Sequence, residues 1–335
     1  MTTVFVSHPK TSLAHYFGTR ATAALQALAD VRFNPGDTDL SSPELATLAR
    51  DCDVIISYRQ TLGDEALFAA LPRLLAFVRC AIDIRNIDVA AASRHGVLVT
   101  QASAGFIASV SEWIIGVMID LSRHISAAAA LYHAGRPVAP LMGRELRGAT
   151  LGVIGYGQIS RYLCDVALAL GMRIVVHDPY TRTGRQELVQ TGLAPLLQQA
   201  DYVVCLAAAT EATENMMNAQ TFALMKPGAV FINAARGNLV DEQALIDALD
   251  AGTIAGCAVD VGRAPDQMPS PRVAAHPRVI ASPHIGGLTP PAVEHQALET
   301  VAQVADILQG RVPQGAVNAK QAHRWHLAFG TQQLA

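Results

Sequence analysis

Three short segments place chemically capable side chains directly after apolar runs. Phe231-Ile232-Asn233-Ala234-Ala235-Arg236-Gly237 delivers Arg236, Ala255-Gly256-Cys257-Ala258-Val259-Asp260 delivers Asp260, and Ala281-Ser282-Pro283-His284-Ile285-Gly286-Gly287 delivers His284. A guanidinium is a planar fork of donors that matches a carboxylate and a neighbouring oxygen. An imidazole is the side chain best suited to exchange a proton near neutral pH. A fourth segment, Leu151 to Ser160, reads G-x-G-x-x-S on Gly155, Gly157 and Ser160. The first glycine permits a tight turn, the second lets backbone approach a pyrophosphate, and the third place needs only a small side chain. A helix opening there offers free N–H groups and a positive dipole end to phosphates. Asp178 closes the next apolar run, about 20 residues on. A carboxylate there accepts from ribose hydroxyls and repels a 2′-phosphate, so NAD is expected rather than NADP. Each segment alone has an ordinary explanation: a surface arginine, a capping aspartate, a satisfied histidine, a bare strand–turn–helix. Their convergence on strand ends is what points to a reaction site.

Taken as a set, these motifs resemble the D-isomer-specific 2-hydroxyacid dehydrogenases, which include phosphoglycerate, glycerate, D-lactate and formate dehydrogenases. The resemblance runs over roughly residues 74–318 and also takes in Asn86-Ile87-Asp88 and Val110-Ser111-Glu112. It implies hydride exchange between a nicotinamide cofactor and C2 of a small D-2-hydroxy acid or its 2-oxo acid. His284 would take or return the hydroxyl proton. Arg236 would hold the carboxylate and polarise the C2 oxygen. Asp260 would orient the nicotinamide carboxamide. Further cofactor contacts would come from Gly155, Tyr156, Gly157, Gln158, Ile159, Asp178, Ala207, Ala234, Ala235, Arg236, His284, Gly286 and Gly287. The resemblance also implies a homodimer in the cytoplasm, joined through the helix and arm near residues 103–146.

The departures from the family pattern are specific. Relatives pair the histidine with a glutamate five residues after the aspartate of an Asp-Val-Phe run, which raises its pKa and fixes its ring. Here the run is Asp260-Val261-Gly262-Arg263-Ala264-Pro265-Asp266-Gln267, and Pro265 stands at that place. Asp266, one residue on, is the expected partner, with Gln267 or no partner as the alternatives. Relatives have Gly-Val-Gly where this chain has Ala81-Ile82-Asp83. The backbone N–H groups of Ala81 and Ile82 still suit a carboxylate, whereas Asp83 brings a side chain close to an anionic ligand. Arg59, after Ser57-Tyr58, is a candidate anchor for a distal acid, with a solvated surface arginine as the other reading. Phe106, where relatives often have Asn, makes part of the pocket more apolar.

The elements that must position these residues alternate along the chain. Apolar runs recur at residues 3–7, 54–57, 75–79, 97–100, 150–154, 173–177, 202–206, 229–233, 254–259 and 279–281. Continuous Val/Ile/Leu runs are what a parallel sheet covered on both faces requires. Helical spacing is expected over residues 12–29, 159–170, 241–249 and 291–308. This alternation argues an α/β fold. The resemblance implies two doubly wound parallel-sheet domains around a cleft: a Rossmann-type NAD-binding domain over residues 101–289, and a discontinuous, flavodoxin-like substrate domain from 1–100 and 290–335. Trp325 and Phe329, in a polar tail, are expected to dock on their own domain or on a partner subunit.

The chain has 335 residues, 51% of them hydrophobic and 16% charged, which is the composition of folded domains. A formal net charge of −3 argues against a broadly basic nucleic-acid binder. No signal peptide and no membrane-spanning run are expected. From the length, no added C-terminal regulatory domain is expected. Five dispersed cysteines, with no C-x-x-C spacing, read as reduced thiols and offer no metal cluster. Two function classes stay open at this stage. One is the NAD-dependent oxidoreductase acting on a small acid. The other is an NAD(H)-sensing binding protein of the co-repressor type, which keeps the fold without turnover.

Overall fold

A computed structural model describes residues 2–330, the side chain of Asp266 excepted. The chain falls into two compact units, Met1–Gly105 with Pro290–Ala335, and Phe106–Thr289. Each is built on its own all-parallel sheet.

The first unit carries β1 (Thr3–Val6), β2 (Asp30–Phe33), β3 (Val54–Ser57), β4 (Ala76–Arg79) and β5 (Leu98–Gln101), in the order β2-β1-β3-β4-β5. That is the order of a flavodoxin-like sheet, whose order reverses between β1 and β3. Side chains alternate faces along each strand. Val4, Val6, Val54, Ile56 and Val78 pack on one side with Val301, Val304, Ile307 and Trp325 from the C-terminal segment. Phe5, Ile55, Phe77 and Val99 pack on the other with Leu45, Phe68 and Leu74. The docking expected of the tail is intramolecular: Trp325 is fully buried and its Nε1 donates to the Ile307 carbonyl at 3.0 Å.

The second unit carries β6 (Thr150–Ile154), β7 (Arg173–His177), β8 (Leu188–Gln190), β9 (Tyr202–Cys205), β10 (Val230–Asn233), β11 (Gly256–Val259) and β12 (Val279–Ala281). The order is β12-β11-β10-β9-β6-β7-β8, so the reversal falls between β6 and β9. This is the dinucleotide-binding order with one further strand at the end. One face is covered by the helices Ile107–Arg123 and Gln158–Ala169, through Val110, Ile114, Met118, Leu163 and Ala167. The other is covered through Leu196, Phe222, Leu245 and Leu249.

Two strands lie outside the apolar runs read from the sequence. Both β2 and β8 are sheet edges, and edges do not need continuous apolar side chains. In β2, Asp30 and Arg32 are exposed. The helix expected over residues 12–29 is two helices, Lys10–Tyr16 and Thr19–Gln26, because Gly18 takes φ 82°. The Leu13 carbonyl accepts from both Phe17 N and Gly18 N there, which ends the first helix. Among the described residues no single helix is long and apolar enough to cross a membrane, and no cluster of metal-ligating side chains occurs.

Candidate active site

The Gly155–Ser160 turn sits where the order of the second sheet reverses. Gly155 has φ +91°, and a Cβ on it would lie 2.7 Å from Ala207 Cα and from the Leu206 carbonyl oxygen. Only glycine fits both the angle and the space. Ala207, at the exit of β9, therefore abuts the turn directly. A Cβ on Gly157 would meet nothing within 4 Å, so the backbone there is open to a ligand. Among the described residues the N–H groups of Gly157, Gln158 and Ile159 donate to no protein acceptor. They are the first donors of the Gln158–Ala169 helix, and Ser160 Oγ braces the turn by donating to the Gly155 carbonyl at 2.6 Å. A tight turn, an open glycine and unspent helix donors suit a pyrophosphate.

Asp178 follows β7, and its carboxylate is already organised. One oxygen accepts from Tyr156 N at 2.7 Å, the other from Tyr180 N and Thr181 N at 2.8 Å each. Burial acts to raise its pKa, but the three backbone bonds outweigh it and hold the carboxyl below its usual range. An ionised group is thus fixed beside the glycine turn.

The loops after β10, β11 and β12 are tied to one another. Asn233 is buried. Its side-chain oxygen accepts from Ala235 N at 3.1 Å and its amide donates to the Arg236 carbonyl at 2.9 Å, which bends the chain so that Arg236 leaves the strand. Asp260 N donates to the Asn233 carbonyl at 3.1 Å. The Asp260 carboxylate is 4% exposed and holds the next loop: Oδ1 accepts from Ser282 Oγ (2.6 Å) and Ile285 N (2.8 Å), and Oδ2 accepts from Gly286 N (2.7 Å). A Cβ on Gly286 would lie 2.8 Å from that Oδ2. His284 N donates to the Asp260 carbonyl at 3.0 Å, and His284 itself has φ 56°. A non-glycine residue in the left-handed region is a local strain that its surroundings must enforce. Asp260 is thus first a brace for the His284 loop, a role its place at a strand end did not announce. Gly287 packs on Phe106, whose Cβ is 3.1 Å from the Cβ position of that glycine. The side chains of Arg236 and His284 are both half-buried. The Asp266 side chain, expected beside His284, lies outside the described residues.

Arg59, Ala81 and Ile82 belong to the first unit, at the carboxyl ends of β3 and β4. Among the described residues the N–H groups of Ala81 and Ile82 donate to no protein acceptor. The Asp83 charge is balanced by Arg85, whose Nη2 lies 2.7 Å from it. The Arg59 guanidinium stacks on the Tyr16 ring at 5.1 Å. Two residues that the sequence reading did not single out organise this edge. Arg79 is fully buried, donates to the carbonyls of Tyr58 and Thr61 and to Asn86 Oδ1, and is pulled down to about 10 by burial. His8 is buried between Phe17 and Tyr58, and burial, with Arg79 next, lowers its pKa to about 3.

A family model described as D-isomer specific 2-hydroxyacid dehydrogenase, NAD binding domain, matches residues 115–286. The chain belongs to that family. Among its relatives, D-3-phosphoglycerate dehydrogenase 3 of Arabidopsis thaliana is 34% identical over 286 residues, covering 84% of this chain and 49% of the relative. The chain spans about half the length of the curated relatives it matches. Among solved structures, the TT0316 protein of Thermus thermophilus superposes with a TM-score of 0.84 at 26% identity, covering 94% of this chain and all of that one. The D-lactate dehydrogenase of Lactobacillus jensenii, solved with NAD+, shares the fold at a TM-score of 0.80 and 24% identity, covering 94% of this chain and 99% of that one. The matched span of the family's NAD-binding domain contains the glycine turn, Asp178, Arg236, Asp260 and His284.

Proposed function

We propose that the chain is an NAD(H)-dependent oxidoreductase that interconverts a small D-2-hydroxy acid and its 2-oxo acid. The observation that carries this reading is the bracing of Arg236 and His284 by two buried polar side chains, Asn233 and Asp260. Preorganised groups of this kind act on charge that develops during a reaction.

When bound, the reduced nicotinamide supplies a hydride to C2 of the 2-oxo acid. The turn at Gly155 and Gly157, with the donors of Gln158 and Ile159, holds its pyrophosphate, and Asp178 takes the ribose hydroxyls. Tyr156, Ala207, Ala234, Ala235, Asp260, Gly286 and Gly287 line the cofactor's path. Arg236 grips the substrate carboxylate and draws electron density onto the C2 oxygen. His284 gives its proton to that oxygen during reduction and takes it back during oxidation. Asp266 serves as the carboxylate that keeps His284 protonated. In the first unit, the N–H groups of Ala81 and Ile82 suit a carboxylate, and Arg59 suits a distal acidic group.

The assembly is a homodimer joined through the second unit. Ile119, Ile125, Tyr132, Leu141 and Met142 are exposed along its helices and arm, an apolar surface of the kind a partner covers. A cytoplasmic setting is supported by five free, buried cysteines.

The test is NADH oxidation with glyoxylate, pyruvate, hydroxypyruvate, phenylpyruvate, 2-oxoglutarate and phosphohydroxypyruvate, run beside Arg236→Ala and His284→Ala. Turnover of one acid that both substitutions abolish supports the reading. NADH binding without turnover of any acid replaces it with a cofactor-sensing role.

A further inference from the structure

The segment from Gly262 to Ser270 lies where the chain departs from the family pattern, and it is folded onto itself. Gly262 N donates to the Gln267 carbonyl at 2.8 Å and Ala264 N to the Met268 carbonyl at 3.0 Å. Both ends of the segment meet on Glu242, whose Oε1 accepts from Arg263 N at 3.4 Å and whose Oε2 accepts from Ser270 Oγ at 2.8 Å. The segment presses on the turn that follows Arg236. A Cβ on Gly237 would fall 2.1 Å from the Gly262 carbonyl carbon, and a Cβ on Gly262 would fall 2.5 Å from Pro269 Cα.

Arg263 reaches out of this segment to the neighbouring loops. Its Nη2 donates to Glu214 Oε1 (2.8 Å), Asn215 Oδ1 (2.5 Å) and the carbonyls of Asn238 (3.0 Å) and Val240 (3.2 Å), so its two N–H groups are shared among four acceptors. Its Nε donates to the Val240 carbonyl at 3.3 Å. Glu214 returns to the same turn, accepting from Asn238 Nδ2 at 2.9 Å. Arg263 and Asn238 together hold the Glu214 carboxyl below its usual range. Asn238 and Val240 belong to the turn directly after Arg236, and Asn215 N donates to the Asn238 carbonyl at 2.9 Å. One guanidinium therefore joins the loops that leave β9, β10 and β11.

We propose that Arg263 is a positioning residue: seated on Glu214 and the Asn238 and Val240 carbonyls, it fixes the Arg236 turn and the Gly262–Ser270 segment as one body. The proposal rests on the dehydrogenase reading above. The Arg263 side chain is 38% exposed and that of Glu214 41%, and a surface ion pair of this kind contributes little to stability. Its effect belongs instead in the placement of Arg236, where a shift of about 1 Å can cost up to about a hundredfold in rate. A lysine cannot replace it fully, because a point charge does not span the same acceptors.

The experiment compares Arg263→Met, Arg263→Lys and Glu214→Gln with the wild type on the best 2-oxo acid. Expected for Arg263→Met are a kcat lower by roughly tenfold or more, an unchanged NADH dissociation constant and an unchanged melting temperature. The lysine and glutamine variants should fall between it and the wild type. A kcat and a 2-oxo acid KM both within about twofold of wild type would overturn the proposal. So would joint loss of NADH binding and cooperative melting in both arginine variants, which is a folding role. If the wild type reduces no 2-oxo acid, the dehydrogenase reading fails and Arg263 is judged by oxamate titration of the NADH complex. Affinity weakened about fivefold or more in Arg263→Met supports the positioning role, and unchanged affinity overturns it.

Discussion

His284 sits at φ 56° in a loop whose N–H groups are spent on Asp260. The direction in which its side chain leaves the backbone is thus held by the loop. On the proposed mechanism, replacing His284 by alanine removes the proton exchanger and lowers kcat by about 10²–10⁴, which stopped-flow turnover measures, while fluorescence titration follows NADH binding separately. Asp260→Asn is the more revealing change. An amide cannot accept all three bonds that the carboxylate accepts, so one loop donor is left without its acceptor, at a cost of about 1–3 kcal/mol. Activity should fall along with stability, and denaturant melts at matched pH check this. Asp178→Ala should lower the preference for NADH over NADPH by about tenfold or more, since the ionised group proposed to face the ribose and repel a 2′-phosphate is gone. The ratio of kcat/KM for the two cofactors is the measurement.

At the scale of the element, each strand does its work at its carboxyl end, and the glycines there carry the close approaches. Gly155→Ala sets a Cβ against Ala207 backbone at a positive φ, so a loss of about 2–4 kcal/mol and of NADH binding is expected together. Calorimetry with and without NADH reads both. These positions were legible before the fold was known because central strands of a parallel sheet must be apolar throughout, which marks where each one stops. Arg236 and Asp260 follow such stops, whereas His284 follows β12, an edge strand marked only by its short Val279-Ile280-Ala281 run. The edge strands β2 and β8 were not legible, since a strand with one open side tolerates Asp30 and Arg32. Nor was the break at Gly18, because the apolar spacing continues across it in both helices. The brace formed by Asn233 and Asp260, and the reach of Arg263 to Glu214, were invisible for a different reason. The bonds of Asp260 and Arg263 depend on loops distant in sequence that only the sheet order brings together, and those of Asn233 on a local turn that its residue type alone does not specify.

Across the molecule, pH acts through the buried imidazole of His8. Its pKa is about 3 in the folded state, against 6.5 for an ordinary exposed histidine. The unfolded chain therefore binds a proton that the folded chain refuses. Stability is complete above pH 6.5 and declines as pH falls from 6.5 toward about 3. At pH 4.5 the loss attributable to this group is on the order of 2–3 kcal/mol. Asp178 and Asp201, whose pKa values are lowered, keep their contribution down to about pH 4 and lose it below. Urea unfolding of wild type and His8→Gln at pH 7 and 4.5 should show a shallower acid decline in the variant.

Trp325 closes the core of a unit whose first 105 residues are made long before it. During synthesis at about 5–20 residues per second, those residues wait roughly 10–40 s for the Pro290–Leu308 helix and the tryptophan that cover one face of their sheet. The second unit, continuous from Phe106 to Thr289, needs no such return and can close first. The newborn chain thus carries a finished cofactor-type fold beside an apolar face that is still bare. A ribosome stalled once residue 289 has cleared its exit tunnel, with the Trp325 segment still inside, would hold a species with that face exposed, and a chain released after residue 329 would not.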